Sequence, residues 1–352
     1  MRIAVLTSGG DAPGMNAALH SVVKAARGHG HEVLGVGMGY EGLLDADVRS
    51  LTLAEVDGIS RDGGTLLGSA RSKRFVTDEG QRTARERIAE HGIEALVVIG
   101  GNGSLAGAHR LAEGRPCTVV GIPASIDNDI GCSALSIGVD TAVNTIVEAC
   151  DRISDTARAH RRAFVVEVMG RQCGYLAMRA GIAAEADAIL FAEEHIEEGD
   201  LVARLRDLLR ASFSKERSKK RVLIVKAEGV KVPTHRLVER LQAHLEEDAP
   251  GVDIRETILG HVVRGGRPSA TDRVIAQRLA LAAVTCAEQG IHDVMVGWEP
   301  PGGPGQATPD PSVRAVPLAD VLSETERLVD GTSEVVRRRV ALLSKVEGLL
   351  AL

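Results

Sequence analysis

Short runs of Val, Ile and Leu alternate with longer stretches of helical period along most of this chain, and that rhythm is its strongest constraint on fold. "RIAVLT" (2–7), "HEVLGVGM" (31–38), "EALVVIG" (94–100) and "CTVVGI" (117–122) read as strands. Apolar runs of this length bounded by turn-formers suit strands buried on both faces. Between the first two, "MNAALHSVVKAARGH" repeats apolar residues at Met15, Leu19, Val22, Val23 and Ala26, one face of a helix. Strand, helix and strand in succession build a parallel sheet covered by helices. After Gly138 the rhythm restarts with helix "TAVNTIVEACDRISDTARAH", strands "AFVVEVMG" and "AILFAEE", helix "LVARLRDLLRASF" and strand "RVLIVKAE". A second αβ unit is therefore expected, and 352 residues suit two α/β domains of ordinary size. "HDVMVGW" reads as a late strand, and "EPPGGPGQATPDP" after it as an irregular surface connector. The tail "GTSEVVRRRVALLSKVEGLLAL" has the spacing of a final helix.

Composition removes several classes of function. Aromatic residues make up 2% and the net charge is −6, so the chain offers neither a stacking platform nor a basic field for nucleic acid. The apolar run in "MRIAVLTSGG" is too short for a signal peptide, and no stretch approaches the ~20 apolar residues of a membrane span. Five cysteines, Cys117, Cys132, Cys150, Cys173 and Cys286, are scattered without a C-x-x-C pair. They read as reduced packing residues of a cytoplasmic protein.

Chemistry is expected at three turns that follow strands. "TSGGDAPGMNAA" ends a strand and opens a helix, and Gly9 and Gly10 let backbone amides approach an anion at the positive helix end. "VIGGNGSLAGA" repeats the device at Gly100, Gly101 and Gly103, with Asn102 and Ser104 adding polar side chains. "PASIDND" places Ser125, Asp127 and Asp129 after the third strand. Strand ends of such sheets converge on one edge, where α/β folds bind ligands. A glycine-rich anion site beside two carboxylates matches phosphoryl transfer: one carboxylate accepts the proton of an attacking hydroxyl, the other acts on Mg²⁺. Taken locally, the favoured reading is structural, with Asp127 or Asp129 capping a helix or closing an Asx turn.

Six blocks together, "VLTSGGDAPGMNAA", "GGTLLGSAR", "VVIGGNGS", "IDNDI", "VVEVMGRQCGYLA" and "ETILGHVVRGGRPSATDR", resemble in order and spacing the bacterial-type ATP-dependent 6-phosphofructokinases. The resemblance runs from Met1 to about Leu281. It implies an α/β fold of two stacked three-layer αβα domains, with the active site in the cleft between them and across a subunit interface. The implied nucleotide-binding domain comprises 1–138 and about 263–312, and the sugar-phosphate-binding domain 139–262 and about 313–352. The implied reaction is glycolytic, a transfer from ATP to fructose 6-phosphate in a cytoplasmic homo-oligomer, dimer or tetramer, with Mg²⁺.

Carried over residue by residue, the resemblance makes Asp127 the general base toward the sugar 1-hydroxyl and sets Asp129 on Mg²⁺. Ser125 stands where the family usually has threonine, against the transferred phosphoryl group. Gly10 and Arg171 stabilise the charge that develops there. Arg71, Gly103 and Ser104 line the nucleotide side, and Tyr40 matches a tyrosine near the nucleotide, with packing as its other reading. Arg162, Arg255, His261 and Arg264 match binders of the sugar 6-phosphate, the first two reaching in from a neighbouring subunit. Glu228 matches a ligand of sugar hydroxyls, and Met169 and Gly170 complete the "MGR" turn.

Departures from the family pattern sharpen these expectations. Asn102 replaces the usual magnesium-side aspartate, keeping shape and an oxygen but losing charge, so weakened metal and nucleotide binding is expected. Gly103 is as in ATP users, where pyrophosphate users place an aspartate. Ala124 replaces the glycine usual in ATP users and the lysine of pyrophosphate users, and it leans the same way less cleanly. The family's effector arginines appear as His20, Lys24 and Ser154, with Arg217 and Lys219 on the same surface, so weak allosteric control is expected. Pyrophosphate as donor, another acceptor such as sedoheptulose 7-phosphate, and a sugar-phosphate-binding paralogue of little activity are the competing readings.

Overall fold

A computed structural model describes residues 1–298 and 305–350. Residues 299–304 of the expected connector lie outside the described residues. The strands are β1 (Arg2–Ser8), β2 (Glu32–Val36), β3 (Val48–Ser50), β4 (Ala95–Gly100), β5 (Thr118–Pro123), β6 (Arg162–Val168), β7 (Ala188–Leu190), β8 (Arg221–Ala227), β9 (Ile254–Ile258), β10 (Val294–Trp298), β11 (Gln306–Ala307) and β12 (Val313–Pro317). The helices are α1 (Met15–Gly28), α2 (Gly39–Leu44), α3 (Asp78–Glu90), α4 (Asn102–Ala112), α5 (Val139–His160), α6 (Tyr175–Ala183), α7 (Glu198–Phe213), α8 (Thr234–Asp248), α9 (Ala270–Glu288), α10 (Leu318–Val329) and α11 (Glu334–Leu350). Two compact units result, Met1–Thr141 with Arg264–Leu328, and Ala142–Val263 with Val329–Leu352.

The first unit is built on an eight-stranded sheet in the order β11-β12-β10-β5-β4-β1-β2-β3. Its middle, from β10 to β2, is parallel, and the edges are antiparallel. β4 is buried at every position, as an interior parallel strand must be. One face packs Leu96, Val98, Leu105, Leu111 and Ile88 into a single core, and each such side chain contributes about 1.5–3 kcal/mol on burial. α1 packs along α9, whose Ala276, Ala280, Ala283 and Ala287 are buried. The second unit has a four-stranded parallel sheet, β7-β8-β6-β9. Its core joins Val165, Ile224 and Ile254 to Leu205 and Leu209 of α7 and Leu237 and Leu241 of α8.

The expected domain boundary needs correction at the late end. Residues 313–328 are expected in the second domain, whereas β12 pairs antiparallel with β10 and belongs to the first. Leu318 and Val321 of α10 follow it into the first unit's core. β10 needs a hydrogen-bonding partner on its outer edge, and β12 supplies it. Two strand expectations also shrink. Met38 at φ 50 turns the chain into α2 after Val36, and a 3-10 turn at Ala192–Glu194 ends the run after β7. Beyond the undescribed residues the connector is not wholly irregular, since Gln306 and Ala307 pair with β12 and Asp310 grips Arg278. No helix among the described residues is long and apolar enough to cross a membrane.

One buried carboxylate fastens the start of α5 to α9. Asp272, fully buried, accepts hydrogen bonds from the Gly138 amide at 2.9 Å and the Thr141 amide at 2.8 Å, and from the Thr141 hydroxyl. Burial pushes its pKa above the usual carboxylate value, and these donors oppose the shift. Replacing Asp272 with Ala strands three donors in the interior. The expected loss is about 3 kcal/mol of unfolding free energy, read as a lower midpoint in urea denaturation.

Candidate active site

β5, β4 and β1 are parallel neighbours, so the turns after them emerge at one edge of the sheet. The chain runs outward from β1 to β2 on one side and from β4 to β5 on the other, which makes the crevice between β1 and β4 a topological switch point. The expected glycine turns stand on its two banks. Gly100 has to be glycine there, because a Cβ would lie 2.5 Å from the Ser8 carbonyl oxygen and 2.7 Å from the Ser104 side chain. Ala124 donates its amide to the Gly100 carbonyl at 3.0 Å, which sets the third turn beside the second.

Both carboxylates of "DND" are buried, with Asp127 3% and Asp129 8% exposed. Asp129 is held by neutral donors: Asn102 Nδ2 at 2.8 Å from Oδ2, and Ser125 Oγ at 3.0 Å from Oδ1. The Asp127 amide donates to Ser125 Oγ at 3.3 Å. Asn128 between them is the structural member. At φ 50 it accepts from the Ser136 amide at 3.0 Å and donates to the Ala134 carbonyl at 3.1 Å. Asn128 thus closes the following loop through partners six and eight residues on, a role that the local sequence does not single out.

The donor set suits a hard divalent cation. Asn102 Oδ1 is buried and has no hydrogen-bond partner, while Nδ2 fills the place beside Asp129. A half-turn of the amide would exchange the two and set oxygen against oxygen at the same 2.8 Å. That is close to the edge of about 2.9 Å in a magnesium octahedron. Asn102 and Asp129 therefore fit Mg²⁺, with one charge fewer than two carboxylates.

The "GGTLLGSAR" segment is stitched across the end of β1. Thr7 Oγ1 donates to the Gly68 carbonyl at 2.7 Å, and Ser69 Oγ to the Gly9 carbonyl at 2.6 Å. This brings the segment bearing exposed Arg71 to the first glycine turn. Arg264 reaches the same turn, with Nη1 3.2 Å from the Asp11 carbonyl and 3.1 Å from where a Cβ on Gly10 would stand. A Cβ on Gly103 would meet nothing within 4 Å, so packing does not require glycine there. Tyr40 takes the packing role. It is 4% exposed, stacks on Phe75 at 3.8 Å between centroids and donates its hydroxyl to the Ser104 carbonyl at 2.6 Å.

In the second unit the residues expected to bind the acceptor divide into two groups. Met169, Gly170 and Arg171 follow β6, Glu228 follows β8 and His261 follows β9, all at the C-terminal edge of the sheet. Glu228 Oε1 accepts from the Arg171 amide at 2.7 Å and the Gly170 amide at 3.2 Å. It shapes the turn in which Gly170 adopts φ 141 and Arg171 φ 51, a role that sequence reading missed. Arg162 and Arg255 stand at the opposite edge, in adjacent strands, and share Asp253 at 3.4 and 3.1 Å. Seven residues of β6 separate the edges by about 20 Å.

Of the expected effector set, Lys24 and Arg217 are exposed cations, while the other three positions offer less charge. Burial and the nearby Lys24 lower the pKa of His20, which favours the neutral ring. Lys219 is tied to the buried Asp187 at 2.8 Å. Ser154 is buried.

The family model described as "Phosphofructokinase" matches residues 2–287. An ATP-dependent 6-phosphofructokinase of Thermotoga petrophila is 46% identical over 298 residues, covering 85% of this chain and 90% of the relative. One of Bacillus cereus is 49% identical over 284 residues, covering 80% and 85%. Among solved structures, phosphofructokinase from Saccharomyces cerevisiae superposes with TM-score 0.82 at 33% identity, over 97% of this chain and 48% of that one. Phosphofructokinase from Pichia pastoris in the T-state gives 0.86 at 31%, over 98% and 39%. The chain thus spans about half or less of those yeast chains. It belongs to the phosphofructokinase family.

Asn102→Asp should set two carboxylates face to face. Without metal the variant is expected to lose about 1–3 kcal/mol of stability, and millimolar Mg²⁺ to restore it. Calorimetric melting with and without Mg²⁺ checks this, since the wild type should show the smaller metal-dependent rise.

Proposed function

We propose that this chain is an ATP-dependent 6-phosphofructokinase, moving the γ-phosphoryl group of ATP to the 1-hydroxyl of fructose 6-phosphate to give fructose 1,6-bisphosphate and ADP. The pair of buried carboxylates at the β1–β4 crevice carries the reading, with Asp129 held by Asn102 and Ser125 and Asp127 two residues before it. Relatives at 46 and 49% identity bear the name of that activity.

The nucleotide phosphates lie along the glycine turns, where the Gly10 amide and the N-terminal end of α4 offer positive potential. Arg71 meets the phosphates from its stitched segment, and Ser104 lines the same side. The space beside Gly103 leaves room for a nucleoside diphosphate. Asp127 accepts the proton of the sugar 1-hydroxyl as that oxygen forms its bond to the γ-phosphorus, and the bond from phosphorus to the bridging oxygen breaks to release ADP. Ser125 contacts the transferred group, and Gly10 and Arg171 stabilise its developing charge. Asp129 and the Asn102 amide oxygen would hold Mg²⁺, which supplies positive charge against the phosphate oxygens.

Met169, Gly170, Glu228, His261 and Arg264 serve the acceptor. Arg162 and Arg255 serve the acceptor of a neighbouring subunit, a reading supported by their place at the far edge of the sheet from Arg171. The working enzyme is accordingly a homo-oligomer, dimer or tetramer, with shared sites. The described cysteines form no disulfide, and burial pushes Cys150 and Cys286 up to about 11 and Cys117 up to about 12, which suits inert thiols in the cytoplasm.

The deciding measurement is formation of fructose 1,6-bisphosphate from fructose 6-phosphate and Mg²⁺ with ATP or pyrophosphate as donor. Turnover with ATP is expected, and turnover with pyrophosphate alone, or with neither, overturns the reading. Asp127→Ser should lower kcat about 10²–10⁴-fold while sugar-phosphate binding persists by calorimetry. Arg171→Ala should lower kcat about 10³-fold.

A further inference from the structure

At the end of α1 and the end of α9, three potential metal ligands meet away from the crevice. His29 caps α1, His31 follows two residues later, and Glu288 is the last residue of α9. Glu288 Oε1 lies 2.8 Å from His29 Nδ1 and 2.7 Å from His31 Nε2. The three ligand atoms all fall within 4.8 Å of one another. His31 is only 14% exposed at its side chain, so its position is restrained by packing, while His29 and Glu288 are exposed. The second ring nitrogen of His31 stands 3.3 Å from the Met1 nitrogen, a contact that helps orient the ring.

We propose that His29, His31 and Glu288 form a binding site for a divalent transition-metal ion, with Zn²⁺ as its representative. Two imidazoles and one carboxylate are a common protein donor set for zinc, and a water would complete the coordination. Ligand distances of about 2.0–2.1 Å around a tetrahedral ion put neighbouring donors about 3.3 Å apart. The present hydrogen-bonded spacings therefore need to open by only about half an ångström around such an ion. Both imidazoles already aim a ring nitrogen at the same carboxylate oxygen, which makes the donors convergent. Nitrogen donors favour this class of ion over Mg²⁺.

Bound there, the ion would fasten the far end of α1 to the far end of α9. The near ends are already together, with Gly14 approaching Asp272 and Pro268. Ion binding would thus close the helix pair at both ends, a structural role independent of the proposed phosphoryl transfer.

The test compares the wild-type chain with Glu288→Gln and with a His29→Ala/His31→Ala double variant, all in excess Mg²⁺. Equilibrium dialysis against Zn²⁺ should show one bound equivalent fewer in the double variant, and Zn²⁺ should raise the melting temperature of the wild type only. Glu288→Gln retains an oxygen acceptor for both rings, so it keeps the comparison available if the double variant does not fold. Co²⁺ added to the wild type should give visible bands of a nitrogen- and oxygen-ligated ion that vanish in Glu288→Gln. Equal Zn²⁺ stoichiometry in folded wild type and Glu288→Gln, or a Co²⁺ spectrum carrying only thiolate charge-transfer bands, overturns the proposal.

Discussion

Everything in the first unit follows from the obligation of a parallel strand to find a hydrogen-bonding neighbour on each side. Once β5, β4, β1 and β2 pair in that order, their connections to the following helices have no choice of edge. The glycines are consequences of this crowding. Ser8, Gly100 and Ser104 approach so closely that a methyl group on Gly100 would collide with backbone. At Gly100 the main chain is bare because nothing bulkier fits, whereas beside Gly103 the space is open.

Into that crowded edge the chain sets two carboxylates, and the cost of burying charge decides what surrounds them. Asp129 is compensated by an amide and a hydroxyl, without a cation. Asp272 uses the same device for architecture, taking two backbone amides and a threonine hydroxyl to join helix ends. The two aspartates are alike in burial and unlike in use. Asp129 faces a residue whose oxygen has no hydrogen-bond partner, whereas the groups around Asp272 are satisfied.

Much of this was legible in the sequence. The strands of the first third, the paired αβ units, the convergence of three turns and the family all follow from apolar runs and spaced motifs. Residues whose role lies in long-range pairing were not legible. β12 has apolar residues but shows nothing locally to say that β10 awaits it, which is why the late boundary fell too early. Asn128 and Glu228 look like chemistry beside chemistry, yet Asn128 closes a turn and Glu228 also shapes one through backbone donors. Tyr40 matched a nucleotide-side position, but its ring is committed to Phe75 and its hydroxyl to Ser104. Those partners are distant in sequence, and only folding brings them into contact.

The sharing of Asp253 by Arg162 and Arg255 has a thermodynamic consequence. Long guanidinium side chains lose about 1.5–2 kcal/mol of rotamer freedom when fixed. Here part of that loss is taken when the chain folds, because one carboxylate already restrains both side chains. The ion pairs are partly exposed and therefore weak, so the restraint is partial. The two guanidinium groups are thereby kept adjacent at one edge of the sheet without being locked there.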